Sequence, residues 1–222
     1  MDFNNIIQTL AVYALPVIFA ITIHEAAHGY VAQRLGDPTA AMLGRVTLNP
    51  LKHIDPIGTI LMPVALLLLT KGAFVFGYAK PVPVRFDQLR HPKRDMISVA
   101  AAGPVSNLIQ ALLWGMLLVV LVGLETQERF FVAMAQAGVL VNVLLAVFNL
   151  FPVPPLDGGR VLVGLLPTRA AIAVSRIEPY GFFIVVALVL AGVLSTLWIM
   201  PLTELTLALL NLLLAPLKAL FS

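Results

Sequence analysis

No cysteine occurs anywhere in the 222 residues. Disulfides are therefore excluded, and so is any metal site built on thiolates, which leaves His and carboxylate side chains to hold a transition metal. Charge is the second scarcity. Only 11% of the residues are charged, against 60% hydrophobic, and the mean hydropathy is +0.97. Soluble domains carry about 25% charged residues, so the composition excludes an ordinary soluble domain and indicates an integral membrane protein. The small positive surplus, +3 with a pI near 9.5, does not point to nucleic acid. Its Lys and Arg fall in loops between apolar runs, where the positive-inside rule puts them. No repeat, low-complexity tail or soluble insertion is visible, so residues 1–222 read as a single membrane-embedded domain.

Apolar runs lie at about 6–35, 96–124, 130–151, 180–200 and 203–221, with a shorter one at 57–70. The first lacks a basic start and is too long for a cleaved signal, so it is expected to be retained. It should end near Gly36, where Gly36-Asp37-Pro38 stops a helix. A full span needs about 20 residues, so 57–70 reads as a re-entrant segment. The loops 34–55, 71–95 and 157–178 hold nearly all the Lys and Arg. If they share the cytoplasmic face, the chain has five full spans, N-terminus outside and C-terminus inside. The expected fold is an all-α polytopic membrane protein of about five to six transmembrane helices. Small β-hairpin-like loops near the candidate site are expected at 43–49 and 82–86, from the β-branched Val46, Thr47, Val82 and Val84. Either strand edge would hold an unwound substrate segment by β-addition.

Within the first run stands His24-Glu25-Ala26-Ala27-His28. Residues four apart share a helix face, so both imidazoles reach one ion. Ionisable groups at membrane depth are expensive and seldom lack a task. The spacing points to a zinc-dependent hydrolase holding one Zn²⁺ per chain, with Glu25 free to act as general base. A hydrolytic zinc usually has three protein ligands and an open position. Asp157 is the preferred third ligand, because Pro152, Pro154 and Pro155 break the helix before it and Gly158-Gly159 follow. The alternative for Asp157 is a helix N-cap. Asp55, His53 and His91 are rivals, but each lies in a basic loop that reads as solvated. Asn107 and Asn149 are amides in apolar segments, suited either to the substrate backbone or oxyanion, or to helix–helix bonding. Gly103-Pro104 and the adjoining alanines permit close helix approach. Glu178-Pro179-Tyr180-Gly181 opens the next span, either as a gate or as an interfacial Tyr anchor.

Taken together, His24 through His28, Gly103-Pro104-Val105-Ser106-Asn107, and Asn149 through Leu156-Asp157-Gly158 resemble the site-2 protease family of intramembrane zinc metalloproteases. Gly44 through Pro50 and Lys80 through Val84 resemble its compact prokaryotic branch, without a PDZ-like insertion or a CBS-like tail. The resemblance spans residues 15–180. It implies regulated cleavage of transmembrane segments, with His24, His28 and Asp157 as zinc ligands. The partners it implies are a transmembrane protein or peptide substrate and the lipid bilayer of a prokaryotic plasma membrane, with the active site towards the cytoplasm. Two other classes compete: a zinc transporter or sensor, which would need polar residues through the whole bilayer depth, and an inactive scaffold, against which the intact Glu25 argues.

Overall fold

A computed structural model describes residues 3–62, 65 and 80–221. Helix α1 (Phe3–Leu35) ends as the sequence requires: Gly36 takes φ +117°, open to glycine and costly for other residues, and Asp37 donates its amide back to Ala32 O. Helices α2 (Pro92–Gly123) and α3 (Arg129–Asn149) form with α1 a three-helix core. A short helix α4 (Asp157–Leu165) packs on α2 and leads through α5 (Thr168–Ser175) into α6 (Glu178–Leu190). The last helix, α7 (Met200–Lys218), continues a π-helical turn at Ser195–Ile199 and packs on α2 and α3. Lipid tails are as apolar as leucine, so these helices associate through small residues that allow close approach. Ala20, Ala111, Ala135 and Ala146 are fully buried at such contacts, while Leu10, Leu113, Leu117 and Phe131 stay exposed along the outer faces.

Among the described residues, four helices are long and apolar enough to cross a membrane: Ile7–Leu35, Pro92–Gly123, Arg129–Asn149 and Ser195–Lys218. The pair α5 and α6 could make a fifth only as a span bent by 66°. Its ends speak against a crossing. Gly181 lies against the Pro154 carbonyl, and Trp198 donates to Val147 O at 2.9 Å and stacks edge-on with Phe151. Both ends of the 181–198 stretch are thus tied to one short segment, and α6 is about 20 Å long at 1.5 Å per residue, short of a hydrocarbon core of about 30 Å.

Two expectations change here. The 180–200 run is not one span, because Gly192 turns the chain at φ +72° and the last span begins at Ser195. The π turn that opens this span precedes Pro201, whose ring and missing amide would otherwise disrupt the helix. The C-terminus is also not at the site end. Phe221 packs against Gly123 and Leu214 against Gly115, so the chain finishes beside the 124–129 connection, at the far end of the bundle.

The loops at the other end are knitted without strands. Among the described residues there is no β-strand, and the hairpin-like loops expected at 43–49 and 82–86 are irregular. The reason is that the amides of 80–85, Val84 apart, are already taken or absent. Lys80 donates to His53 O, Val82 to Glu25 and Arg85 to Asp37, Pro81 and Pro83 have no amide, and Arg45 donates to the Lys80 and Pro81 carbonyls. Little edge is left for another chain to pair with. The 57–70 run enters a π-helical turn at Pro56–Leu61, and most of the remainder lies outside the described residues.

Candidate metal centre

His24 and His28 lie one turn apart near the end of α1, and both are buried. Asp157 is the first residue of α4, and its carboxylate caps nothing: the N-cap position belongs to Leu156, which makes no side-chain cap. What places Asp157 is the tight seat of this helix on the preceding loop. Side chains at Gly158 and Gly159 would collide with the backbone of Leu150 and of Val153-Pro154, so only glycine lets α4 start this close.

The result is a triangle of donor atoms. Asp157 Oδ2 is 3.3 Å from His24 Nε2 and 3.4 Å from His28 Nε2, and the two Nε2 atoms are 3.1 Å apart. With metal–ligand distances of about 2.0–2.1 Å, the edge of a tetrahedron around zinc is about 3.3–3.4 Å. The observed edges match. The tautomers agree as well. His24 Nδ1 faces Asn107 Oδ1 at 2.6 Å and His28 Nδ1 faces the Val99 carbonyl at 2.7 Å. Each partner atom can only accept, so both Nδ1 atoms carry the proton and both Nε2 atoms present lone pairs. Two lone pairs and a buried Asp157 Oδ2 that lacks a hydrogen-bond donor converge on one point. A cation satisfies all three, and one metal ion fits the group.

Glu25 points from the same turn of α1 into the cavity that the three donors face, a space of about 510 Å³ also lined by Val82, Phe148, Asn149 and Phe182. Its Oε2 accepts the Val82 amide at 2.7 Å, which fixes the carboxylate beside the donor triangle. Arg160, one turn beyond Asp157, reaches Glu178 at 3.2 Å and lies over the Phe86 ring at 4.9 Å, tying α4 to α6 and to the 80–88 loop at the cavity mouth.

The rivals are elsewhere. His53 is buried rather than solvated, with Nε2 donating to Thr47 O; Asp55 caps the turn at 56–61; the His91 side chain is largely exposed. Asn107, expected as a substrate or oxyanion group or a helix–helix bond, makes the second: it is wholly buried, its oxygen on His24 and its nitrogen on Ala20 O and Asn142 Oδ1. Asn149 does line the cavity, with its nitrogen donated to Leu145 O. Gly103 has a sharper role than helix packing. A Cβ there would come within 2.6 Å of His24 Nε2 and closer still to His28 Nε2. Sequence reasoning missed Asn142, although a lone amide in the apolar 130–151 run is itself a signal.

A model of the family described as Peptidase family M50 matches residues 124–192. The putative zinc metalloprotease YwhC of Bacillus subtilis is 40% identical over 179 residues, covering 78% of each chain. Rip2 of Mycolicibacterium smegmatis, another putative zinc metalloprotease, is 30% identical over 184 residues, 80% of this chain and 66% of its own. Rip3 of Mycobacterium tuberculosis is 27% identical over 197 residues, and the match spans 42% of its length. No solved structure matches. A helical membrane bundle, a His-His-Asp group that fits one metal ion and these relatives agree: the chain belongs to peptidase family M50, the site-2 protease family of zinc metalloproteases.

Proposed function

We propose that this protein is an intramembrane endopeptidase that hydrolyses peptide bonds in or near transmembrane segments of other membrane proteins, as in regulated intramembrane proteolysis. The observation that carries the reading is the convergence of His24, His28 and Asp157 on one point, with Glu25 in the same cavity, inside a bundle of apolar helices. In this reading His24, His28 and Asp157 hold one zinc. When bound, zinc supplies Lewis acidity, polarising the scissile carbonyl and lowering the pKa of water. Glu25 accepts the proton of the attacking water on its carboxylate and returns it to the leaving amine. The Val82 amide keeps that carboxylate aimed at the donors. Asn149, on the cavity wall, hydrogen-bonds the substrate backbone in this reading.

The cavity of about 510 Å³ is suited to a short segment of chain. Its mouth lies among the basic loops, so the site faces the cytoplasm in this reading.

The test is Glu25→Ala in the full chain, assayed on a model membrane substrate with zinc content measured in parallel. Zinc should stay near one per chain while cleavage falls by about 10²–10⁴-fold, the usual worth of a general base. His24→Ala, His28→Ala and Asp157→Ala should instead lose metal. A Glu25→Ala protein cleaving within about tenfold of the natural one overturns the assignment of Glu25.

A further inference from the structure

His24 does not choose its own tautomer. Its Nδ1 donates to Asn107 Oδ1 at 2.6 Å, so Asn107 must present oxygen and not nitrogen. Asn107 sits on α2, wholly buried, and its nitrogen donates to Ala20 O at 3.1 Å and to Asn142 Oδ1 at 2.9 Å. Asn142 sits on α3, also wholly buried, and its nitrogen donates to the Gly138 carbonyl at 2.9 Å. Each amide thus hands a hydrogen to the next, and the series ends on a backbone carbonyl, which can only accept. Reversing Asn142 would set its oxygen against the Gly138 carbonyl. Reversing Asn107 would set its oxygen against two acceptors, Ala20 O and Asn142 Oδ1, and its nitrogen against His24. That would force the His24 proton onto Nε2, the atom that faces Asp157.

We propose that Asn142 is a positioning residue for the metal site: through Asn107 it locks His24 in the Nδ1–H tautomer and so keeps the Nε2 lone pair free for zinc. The inference rests on the reading of His24 as a ligand. It reaches further, because Asn142 touches neither the cavity nor the donor atoms and belongs to a helix that supplies none of them. Partners of this kind change metal affinity by about 10–100-fold when removed, since they set ring orientation and ligand basicity. The arrangement also explains why buried amides stand on adjacent apolar helices, where an unpaired one would be costly.

The experiment uses the full chain in detergent, with zinc affinity measured by competition with a chromogenic chelator. The tautomer of His24 is read by nitrogen NMR of the metal-stripped, histidine-labelled protein. Asn142→Leu keeps the branched shape and removes both the acceptor and the donor. Zinc affinity should fall by about 10–100-fold, and His24 should show an Nε2–H population that the natural protein lacks. Asn142→Ala, which does not crowd the helix interface, should behave in the same way. Asn142→Thr is the rescue, because its hydroxyl donates to the carbonyl four residues back and still accepts from Asn107. It should keep affinity within about threefold and the Nδ1–H tautomer. Unchanged affinity and tautomer in both the Leu and Ala variants overturns the proposal. So does equal loss in all three, which marks a packing role. His24→Ala is the companion measurement: if it binds zinc like the natural protein, the ligand reading fails, while the tautomer spectrum still decides whether Asn142 orients His24.

Discussion

A single methyl group separates Gly103 from alanine, and that methyl would press on both Nε2 atoms of the donor triangle. The backbone of α2 is the back wall of the metal site, and no flexible neighbour stands between them. Gly103→Ala should therefore weaken zinc binding by about 5–150-fold, the equivalent of the 1–3 kcal/mol that overpacking usually costs. Gly115→Ala is the control. The added Cβ meets the end of the Leu214 side chain at 2.7 Å, a group that can swing aside, so zinc binding should not change. Chelator competition on the two variants checks both, and a Gly103→Ala protein with undiminished affinity would show that the imidazoles can back away. The pair also shows that small residues in one apolar helix can have quite different purposes: Gly115 serves helix packing, Gly103 serves the site.

At the scale of elements, the loops that close the site hang on Asp37. Its carboxylate accepts the Thr39 amide at 2.9 Å and the Arg85 amide at 2.6 Å, joining the end of α1 to the segment whose Val82 holds Glu25. Burial pushes this carboxyl up, but those hydrogen bonds and the Arg85 charge outweigh it and leave the carboxyl below its ordinary value. A carboxyl depressed in the folded state adds stability above its unfolded value of about 3.9, and that stability is lost as pH falls through the lower folded value. The gap in thermal midpoint between the natural protein and Asp37→Asn should accordingly be full at pH 6 and close progressively below about pH 4. A gap that is the same at pH 6 and pH 3 would assign Asp37 a purely steric role. Elements of this kind mark the limit of what the sequence discloses. The histidines of α1 were legible because fixed helical spacing turns identity into position, and Asp157 because prolines and glycines announce a break at membrane depth. The loop at 80–85 was not. Its β-branched residues suggest a strand, but strand pairing depends on which amides are free, and that is settled by Glu25, Asp37 and His53, up to 57 residues away in the chain.

For the whole molecule, the decisive relations are those between distant ends. The chain is at the site end at His53 and is again beside it at Lys80, whose amide donates to His53 O at 2.9 Å. The stretch from Gly181 to Trp198 likewise begins and ends against 147–155. Among the described residues, that leaves α1, α2, α3 and the span of α7 as candidate crossings, which agrees with Phe221 lying beside Gly123. Arg45, Lys52, Lys80, Arg85, Arg90, Lys93 and Arg160 gather at the site end. At the other end, Arg129 and Lys218 stand among Glu125 and Glu128. This asymmetry supports the proposal that the site end faces the cytoplasm. Because the chain has no cysteine, a single introduced one reports its own side without background. Cysteines replacing Lys52, Arg90 and Arg169 should react with an impermeant thiol reagent only from the cytoplasmic side, and those replacing Gln127 and Leu220 only from the outside. Opposite labelling of Lys52 and Arg90 would put a crossing between them, and cytoplasmic labelling of Leu220 would require α6 to span. Labelling of all five positions as expected requires that the residues between the ends of α6 and α7 turn back within the membrane on the site side. The apolar α6 then lends Phe182 to the cavity wall from within the membrane.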